Sequence, residues 1–201
     1  MAATTHDTPV ALPPAAPVPR PRALFVGTAF ATGACLMYFA GLFGVYLQQR
    51  SATLAEGNAW LPEGTIPLPP GSMMMVTMVM SAVTMQWAVY AIARDDRPRA
   101  YLALGLTALF GVAVINQTVY LYTQMQLKVA ETIPAVLIYV ITGSHLAMLI
   151  AALVFVGLMS FRALAGQYSS RQADGIASAA LFWHATVVVY AVIYYGIYIT
   201  K

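Results

Sequence analysis

Long apolar runs separated by short polar segments make up most of this chain. Five runs contain no Asp, Glu, Lys or Arg, and they fall near 23–47, 73–93, 100–124, 135–160 and 177–199. About 20 residues at 1.5 Å per residue are enough to cross a hydrocarbon core of roughly 30 Å. Because none of the runs shows the alternating pattern of a membrane β-strand, they predict an all-α bundle of five transmembrane helices.

The composition excludes several other classes of protein. Of the 201 residues, 60% are hydrophobic and 8% are charged, whereas a soluble domain carries about 25% charge. A soluble enzyme of this length could not bury so much apolar surface. Cys35 is the only cysteine, so no disulfide can form within the chain. The basic residues are dispersed and form no patch typical of nucleic-acid binding.

The ends of the runs predict how the chain lies in the membrane. Residues 1–22 are polar and rich in proline, and we expect a disordered cytoplasmic tail, with residues 23–201 as the transmembrane domain. Alternating helices put seven basic residues on one side and three on the other, so the N-terminus is predicted inside and the C-terminus outside. The seven are Arg20, Arg22, Arg94, Arg97, Arg99, Arg162 and Arg171; the three are Arg50, Lys128 and Lys201. Tyr190, Tyr194, Tyr195 and Tyr198 are predicted to form an aromatic collar at the outer end of the fifth helix.

No carboxylate lies inside any of the five runs. Pumps and ion-coupled transporters usually need an acidic group at membrane depth, because that group exchanges the proton or binds the cation. The inverted repeats and broken helices of transporters are also missing from the sequence. A small substrate carrier is therefore ranked below the other interpretations.

Two histidines lie within the runs, His145 in the fourth and His184 in the fifth. In one interpretation they are the axial ligands of a b-type haem in a membrane anchor, since their predicted heights in the bilayer differ by only about 5 Å. In the other, each imidazole forms a hydrogen bond to a neighbouring helix. The sequence favours the second, because no further ligand or supporting acid accompanies them.

Methionines, small residues and amides suggest contacts between helices. Met73, Met74, Met75, Met78, Met80 and Met85 crowd the second run. They could bind Cu(I), but flexible apolar packing is the commoner use of such residues. Two small-residue stripes, Gly143-Ala147-Ala151 and Ala40-Gly44, predict close helix approach. Gln86, Asn116 and Gln117 are candidates for hydrogen bonds between helices.

Three motifs resemble those of the subunit III proteins of haem-copper terminal oxidases, in their short five-helix bacterial form. They are Leu36-Met37-Tyr38-Phe39-Ala40-Gly41-Leu42-Phe43, Thr142-Gly143-Ser144-His145 and Leu181-Phe182-Trp183-His184. Each sits on the corresponding helix and in the order of the family, and the resemblance covers about residues 23–200.

The resemblance implies a subunit without a catalytic centre, haem or copper of its own, in an oxidoreductase complex whose partner subunits hold those cofactors. The implied partners are catalytic subunit I, subunit II and phospholipid, in a bacterial plasma membrane. The subunit would support the stability and proton uptake of the oxidase during aerobic electron transport. The family motifs place packing or lipid-cleft residues at Cys35, Phe39, Gly41, Gly143, His145, Trp183 and His184.

The chain departs from the family at four positions. Cys35, Val187 and Tyr120 stand where the family tends to carry acidic residues, and Met148 replaces a second histidine. A cytochrome c oxidase remains the favoured assembly, and relatives of this subunit in quinol oxidases and nitric-oxide reductases are the alternatives.

Overall fold

The fold is given by a computed structural model that describes residues 22–62, 64–125, 127–129, 131–169 and 173–200. Within these ranges the chain forms five α-helices and no strand. The helices are α1 (Ala23–Ala55), α2 (Leu68–Ala93), α3 (Arg97–Gln124), α4 (Ile133–Leu164) and α5 (Asp174–Ile193), and α5 continues as a π-helical segment, Tyr194–Ile199. All five are long and apolar enough to cross a membrane. The prediction of an all-α chain with five helices of membrane-spanning length and hydropathy is confirmed for the described residues.

Local sequence explains where the helices begin. Prolines occupy the first turn of α2, α3 and α4, where a missing N–H group costs no helical hydrogen bond. The side chain of Asp96 accepts a hydrogen bond from the backbone N–H of Arg99 at the start of α3, and Thr132 caps the N–H of Ala135 at the start of α4. Because the capping side chains are charged or polar, they mark the boundary between a polar loop and the apolar part of the helix that follows.

The helices are longer than the apolar runs that predicted them. α1 extends to Ala55, eight residues beyond the predicted end, and the other helices begin two to five residues earlier than their runs. Helical hydrogen bonding continues across polar residues such as Gln48 and Ser51, whereas hydropathy reports only the apolar stretch. The predicted tail lies outside the described residues apart from Arg22.

Helix α5 is the centre of the bundle. It packs against α1, α2 and α4, while α2 pairs most extensively with α3, and α3 also packs against α4. Each of α1 and α4 leaves a long apolar face on the outside of the bundle. In a membrane such a face meets lipid or another apolar partner.

Contacts at the two ends of the bundle show which loops lie together. At one end Arg22 pairs with Asp174 at 3.4 Å, and the hydroxyl of Tyr101 donates to the carbonyl of Ala163. At the opposite end Arg50 donates to the carbonyl of Thr200. The first end carries Arg22, Arg94, Arg97, Arg99 and Arg162, and the opposite end carries Arg50 and Lys128. The charge asymmetry expected from the sequence is therefore present in the fold.

Two expectations about packing are corrected. Ala147 and Ala151 are exposed, a Cβ atom at Gly143 or Gly44 would meet no neighbouring atom, and Ala40 is also exposed. The small-residue stripes therefore lie on the outside of the bundle and bring no described helices together. The aromatic collar is also incomplete, because Tyr190 and Tyr198 are buried and only Tyr195 is widely exposed.

Candidate functional site

The polar side chains inside the bundle form the candidate site, and Trp183 lies at its centre. This indole is fully buried, and its Nε1 donates a 3.0 Å hydrogen bond to the hydroxyl of Ser81 on α2. Ser81 in turn donates to the carbonyl of Met78. The ring reaches α3 at Gly111, where an added Cβ would lie 2.7 Å from the ring. One residue of α5 thus sets the spacing to two other helices.

His145 joins α4 to α5. Its Nε2 lies 3.1 Å from the carbonyl oxygen of Thr186, and its ring centre is 5.3 Å from that of Tyr190. Because a carbonyl oxygen can only accept a hydrogen bond, Nε2 carries the proton in this arrangement. The imidazole is buried, so this hydrogen bond satisfies a polar group that would otherwise be costly to enclose.

His184 joins α5 to α2 on a more exposed surface. Its Nε2 lies 3.2 Å from Oε1 of Gln86, so Gln86 forms the interhelical hydrogen bond expected of it. Both histidines therefore use Nε2 for partners on neighbouring helices. Ligation of a shared haem iron would have to use Nδ1 or break these contacts.

Other hydroxyls also pair across helix contacts. The hydroxyls of Thr84 and Thr107 lie 2.8 Å apart between α2 and α3. Tyr122 of α3 donates to Thr142 of α4 at 2.9 Å. Each contact gives a hydrogen bond to a polar group that water does not reach. Because each pair must face its partner, these contacts fix the rotation of neighbouring helices about their axes.

At the end of the bundle opposite the arginine-rich end, α5 is tied to α2. Tyr190 donates a 3.0 Å hydrogen bond to the carbonyl of Gly71, and Ser72 lies 2.9 Å from the hydroxyl of Tyr194. A Cβ at Gly71 would approach the ring of Tyr198 to 3.3 Å. The tyrosines predicted to face the interface therefore mainly join α5 to the start of α2.

The remaining residues of the predicted site are scattered along α1 and α4. Phe39 is buried, Cys35 is half-buried against the core, and Gly41 is exposed with no atom close to a would-be Cβ. Gly143 is partly exposed. The structure brings Trp183, His145 and His184 into the contacts of α5, but it does not bring the three α1 residues and Gly143 together with them as one site.

None of the four positions at which the chain departs from the resembled family carries a carboxylate. Val187 and Met148 are buried, Cys35 is half-buried, and Tyr120 is exposed on α3. Met148 stands where the resemblance implies a histidine, and the other three stand where it implies acidic residues. A buried carboxylate needs a partner or a raised pKa, and the buried Val187 imposes no such requirement on the interior.

The methionines of α2 do not form one cluster. Met74, Met78 and Met85 are buried in the core, while Met73 and Met80 are exposed on the other side of the helix. The described residues also contain no group of three or more His, Cys, Asp or Glu that could hold a metal ion. The buried methionines are placed as packing residues.

Near the basic end of the bundle, Tyr168 is held over α5. Its hydroxyl donates to Sδ of Met159 at 3.0 Å, and the guanidinium of Arg162 lies 5.6 Å from the ring centre. Burial raises the pKa of Tyr168, and the nearby Arg162 lowers it by a smaller amount. The hydroxyl therefore stays protonated at neutral pH and remains a donor.

Sequence reasoning missed several residues of this polar core. Ser81, Thr84 and Thr107 are common helix residues, and no motif distinguishes a hydroxyl that faces a neighbouring helix from one that bonds to its own turn. Gly111 also lies outside both small-residue stripes. A useful signal would have been that a bulky Trp183 in the most buried helix requires a small residue opposite it.

Comparison with known proteins gives these contacts a family context. "Probable cytochrome c oxidase subunit 3" of Rickettsia conorii is 30% identical over 124 residues, which cover 61% of this chain and 44% of that protein. "Cytochrome c oxidase subunit 3" of Corynebacterium diphtheriae is 28% identical over 183 residues, 89% of each chain. The chain thus spans less than half of the Rickettsia relative. The family described as "Cytochrome c oxidase subunit III" matches residues 22–201. Because this match includes all five helices, the chain belongs to the cytochrome c oxidase subunit III family.

Proposed function

We propose that this protein is a structural, non-redox subunit of a haem-copper respiratory oxidase of the cytochrome c type. The family match over residues 22–201 is the observation that carries the proposal. In this role the subunit binds catalytic subunit I and, through the assembly, subunit II. Haem and copper belong to those partners.

The contacts inside the bundle support a structural role. His145, His184 and Trp183 each use a ring nitrogen to hold a neighbouring helix. Side chains used in this way stabilise a fixed arrangement of helices, whereas a reaction centre needs groups that are free to bind substrate or cofactor. The proposed role of His145 and His184 is therefore helix packing beside an apolar surface.

The exposed apolar faces support a place within a larger membrane assembly. Phe30 and Met37 on α1 and Phe161 on α4 are each more than 70% exposed. Phospholipid chains and a partner subunit are the two apolar surroundings that such faces suit. We place the protein in a bacterial plasma membrane with the arginine-rich end in the cytoplasm, following the positive-inside rule. From there it would stabilise the oxidase and assist proton uptake.

Purification of the intact assembly tests the proposal. A tagged full-length chain extracted in a mild detergent should bring down a much larger integral membrane partner with a haem spectrum. The same tag on an unrelated five-helix membrane protein is the control. Recovery of a lone, colourless polypeptide, under conditions in which other respiratory complexes stay intact, would contradict the proposal.

The separated subunit tests the haem-anchor alternative. We expect the chain, once dissociated from its partners, to show no reduced-minus-oxidised haem b spectrum. A spectrum that disappears in His145→Ala or His184→Ala would instead identify the two histidines as ligands. His6 lies in the N-terminal tail, and His6→Ala serves as the matched control.

A further inference from the structure

The outer ends of α2 and α3 enclose a groove that the proposed function does not use. Its volume is about 560 Å³, and three prolines at the start of α2, Pro67, Pro69 and Pro70, form one wall. The opposite wall is the outer part of α3. Proline rings cannot move far from their backbone positions, so this wall is rigid before any ligand enters. We call this space the outer α2–α3 groove.

Polar groups line the α3 side of the groove. Asn116, Tyr120 and Gln124 follow one another on the same face of α3 and are exposed. Within the described part of the chain, none of their side chains has a hydrogen-bond partner. Tyr120 is 55% exposed, whereas most polar side chains of the bundle interior are paired and buried.

Gln117 adds a buried unpaired oxygen atom to these three side chains. Its Nε2 donates to the hydroxyl of Thr77 at 3.3 Å, and Thr77 donates to the carbonyl of Met73. Since the hydroxyl proton of Thr77 is already used, the amide of Gln117 cannot be reversed without losing its hydrogen bond. Its Oε1 is buried and meets no donor among the described residues.

The depth of Asn116 makes its exposure unfavourable in a plain lipid environment. Asn116 comes 17 residues after Arg99, which marks the basic end of α3. At 1.5 Å per residue this is about 25 Å, so the amide lies roughly 5 Å inside a hydrocarbon core about 30 Å thick. Lipid tails offer no hydrogen bond to an amide. The occupant of the groove must therefore bring a polar group to this depth.

The charge of the groove limits what the occupant can be. Among the described residues, no Arg, Lys, Asp or Glu lines it, so the phosphate of a phospholipid would find no counter-charge from them. An amide and a phenol instead match a neutral headgroup with carbonyl or hydroxyl oxygens. Below Asn116, on the same face of α3, Val112 and Leu109 are exposed and offer a path for an apolar tail.

We propose that the outer α2–α3 groove binds a lipid-soluble quinone or quinol. Its ring oxygens form hydrogen bonds with the amide of Asn116, its ring lies against Tyr120, and its tail follows Val112 and Leu109. A diacylglycerol offers similar chemistry through its hydroxyl group but has no flat ring. This site is independent of the proposed structural role.

Photolabelling of the full-length chain tests the site. The protein is placed in phosphatidylcholine nanodiscs and exposed to an azido derivative of decylubiquinone, and the labelled peptides are identified by mass spectrometry. We expect labels in the first turns of α2 and in residues 116–124 of α3. Unlabelled decylubiquinone should compete, while dioleoylglycerol should compete much less.

Two variants make the result specific. Asn116→Leu should lower the apparent quinone affinity about tenfold, equivalent to ~1.4 kcal/mol. Gln48→Leu removes an exposed amide at the outer end of α1, outside the groove, and should leave labelling unchanged. Circular dichroism melting of both variants reports whether the fold is intact, and Asn116→Gln should restore part of the binding.

Several outcomes would overturn the assignment. These are equal labelling of folded Asn116→Leu, labels confined to another surface, or equal competition by dioleoylglycerol, which would identify a lipid hydroxyl as the ligand. Labelling of a co-purified partner helix in place of α3 would show that a protein covers the groove.

Discussion

At the scale of single residues, a few side chains set the distances between helices. Trp183 shows this best, because it fills the space between α2 and α3 with one ring and one hydrogen bond. The space that it fills exists only because residue 111 is glycine. Gly111 is therefore needed to leave room for the neighbouring indole, whereas the exposed glycines of α1 have no neighbouring atom within 4 Å of a would-be Cβ.

We expect Gly111→Ala to destabilise the bundle by about 1–3 kcal/mol, the usual cost of overpacking a core. The added Cβ would lie 2.7 Å from Trp183 and 3.0 Å from Leu153. Unfolding in a mixed-micelle denaturant titration measures the change. Gly105→Ala on the same helix meets no atom within 4 Å, so it is the matched control and should be neutral or stabilising. Equal destabilisation by both changes would contradict this account.

The paired histidines make a second prediction at this scale. Gln86→Leu removes the acceptor of His184 without touching His145, and it should lower stability by about 0.6–2 kcal/mol. Gln48→Leu, which removes an exposed amide on α1, is its control. If the two changes have the same effect in thermal unfolding, the hydrogen bond contributes nothing.

At the scale of the helices, the end of α5 is anchored to the beginning of α2. Tyr190 and Tyr194 reach Gly71 and Ser72, which directly follow the two prolines in the first turn of α2. The π-helical segment that follows is packed at Gly196 against Phe43 of α1. The last described part of the chain therefore holds two other helices at the end opposite the arginine-rich end.

Removing one of these contacts should loosen that anchor. Tyr190→Phe deletes the hydrogen bond to Gly71 and keeps the ring, so we expect a loss of about 0.5–1.5 kcal/mol. Tyr195→Phe alters an exposed tyrosine nearby and should have no effect. Hydrogen exchange of the backbone amides of residues 72–75 in α2 would locate the change, and unaltered exchange in Tyr190→Phe would argue against the anchor.

The sequence was sufficient to predict the helices but not their faces. Uncharged runs separated by polar residues predict five spans, because the bilayer imposes a length that composition reveals. The rotation of each helix depends on contacts with other helices, and these are absent from a hydropathy pattern. Trp183 and His145 lie in recognisable motifs. Ser81 and Gly111 lie in no motif, and only the structure shows that both contact Trp183. The prediction that the small-residue stripes bring helices together was wrong, because small residues also occur on exposed helix faces.

At the scale of the whole molecule, the distribution of charge separates the two ends. Five arginines of the described residues lie at one end, and only Arg50 and Lys128 lie at the other. Asp174 neutralises part of the first group by pairing with Arg22. This asymmetry underlies the proposed orientation.

Cysteine labelling in whole cells tests that orientation. In a Cys35→Ala background, Asn58→Cys places a thiol at the end proposed to face outward, and Ala165→Cys places one at the arginine-rich end. A membrane-impermeant maleimide should label the first variant in intact cells, and both variants after the cells are opened. Labelling of Ala165→Cys alone in intact cells would reverse the orientation.

The narrow attachment of α1 affects how the bundle is made. Only five residues of this 33-residue helix are buried, and its main neighbours are α5 and α4. α1 leaves the ribosome before α5, which follows only after about 120 further residues, and this takes roughly 6–24 s at 5–20 residues per second. During this interval α1 lies in the bilayer without α5, its main neighbour. An insertion factor that covers a single unpartnered hydrophobic helix would act at this stage of synthesis.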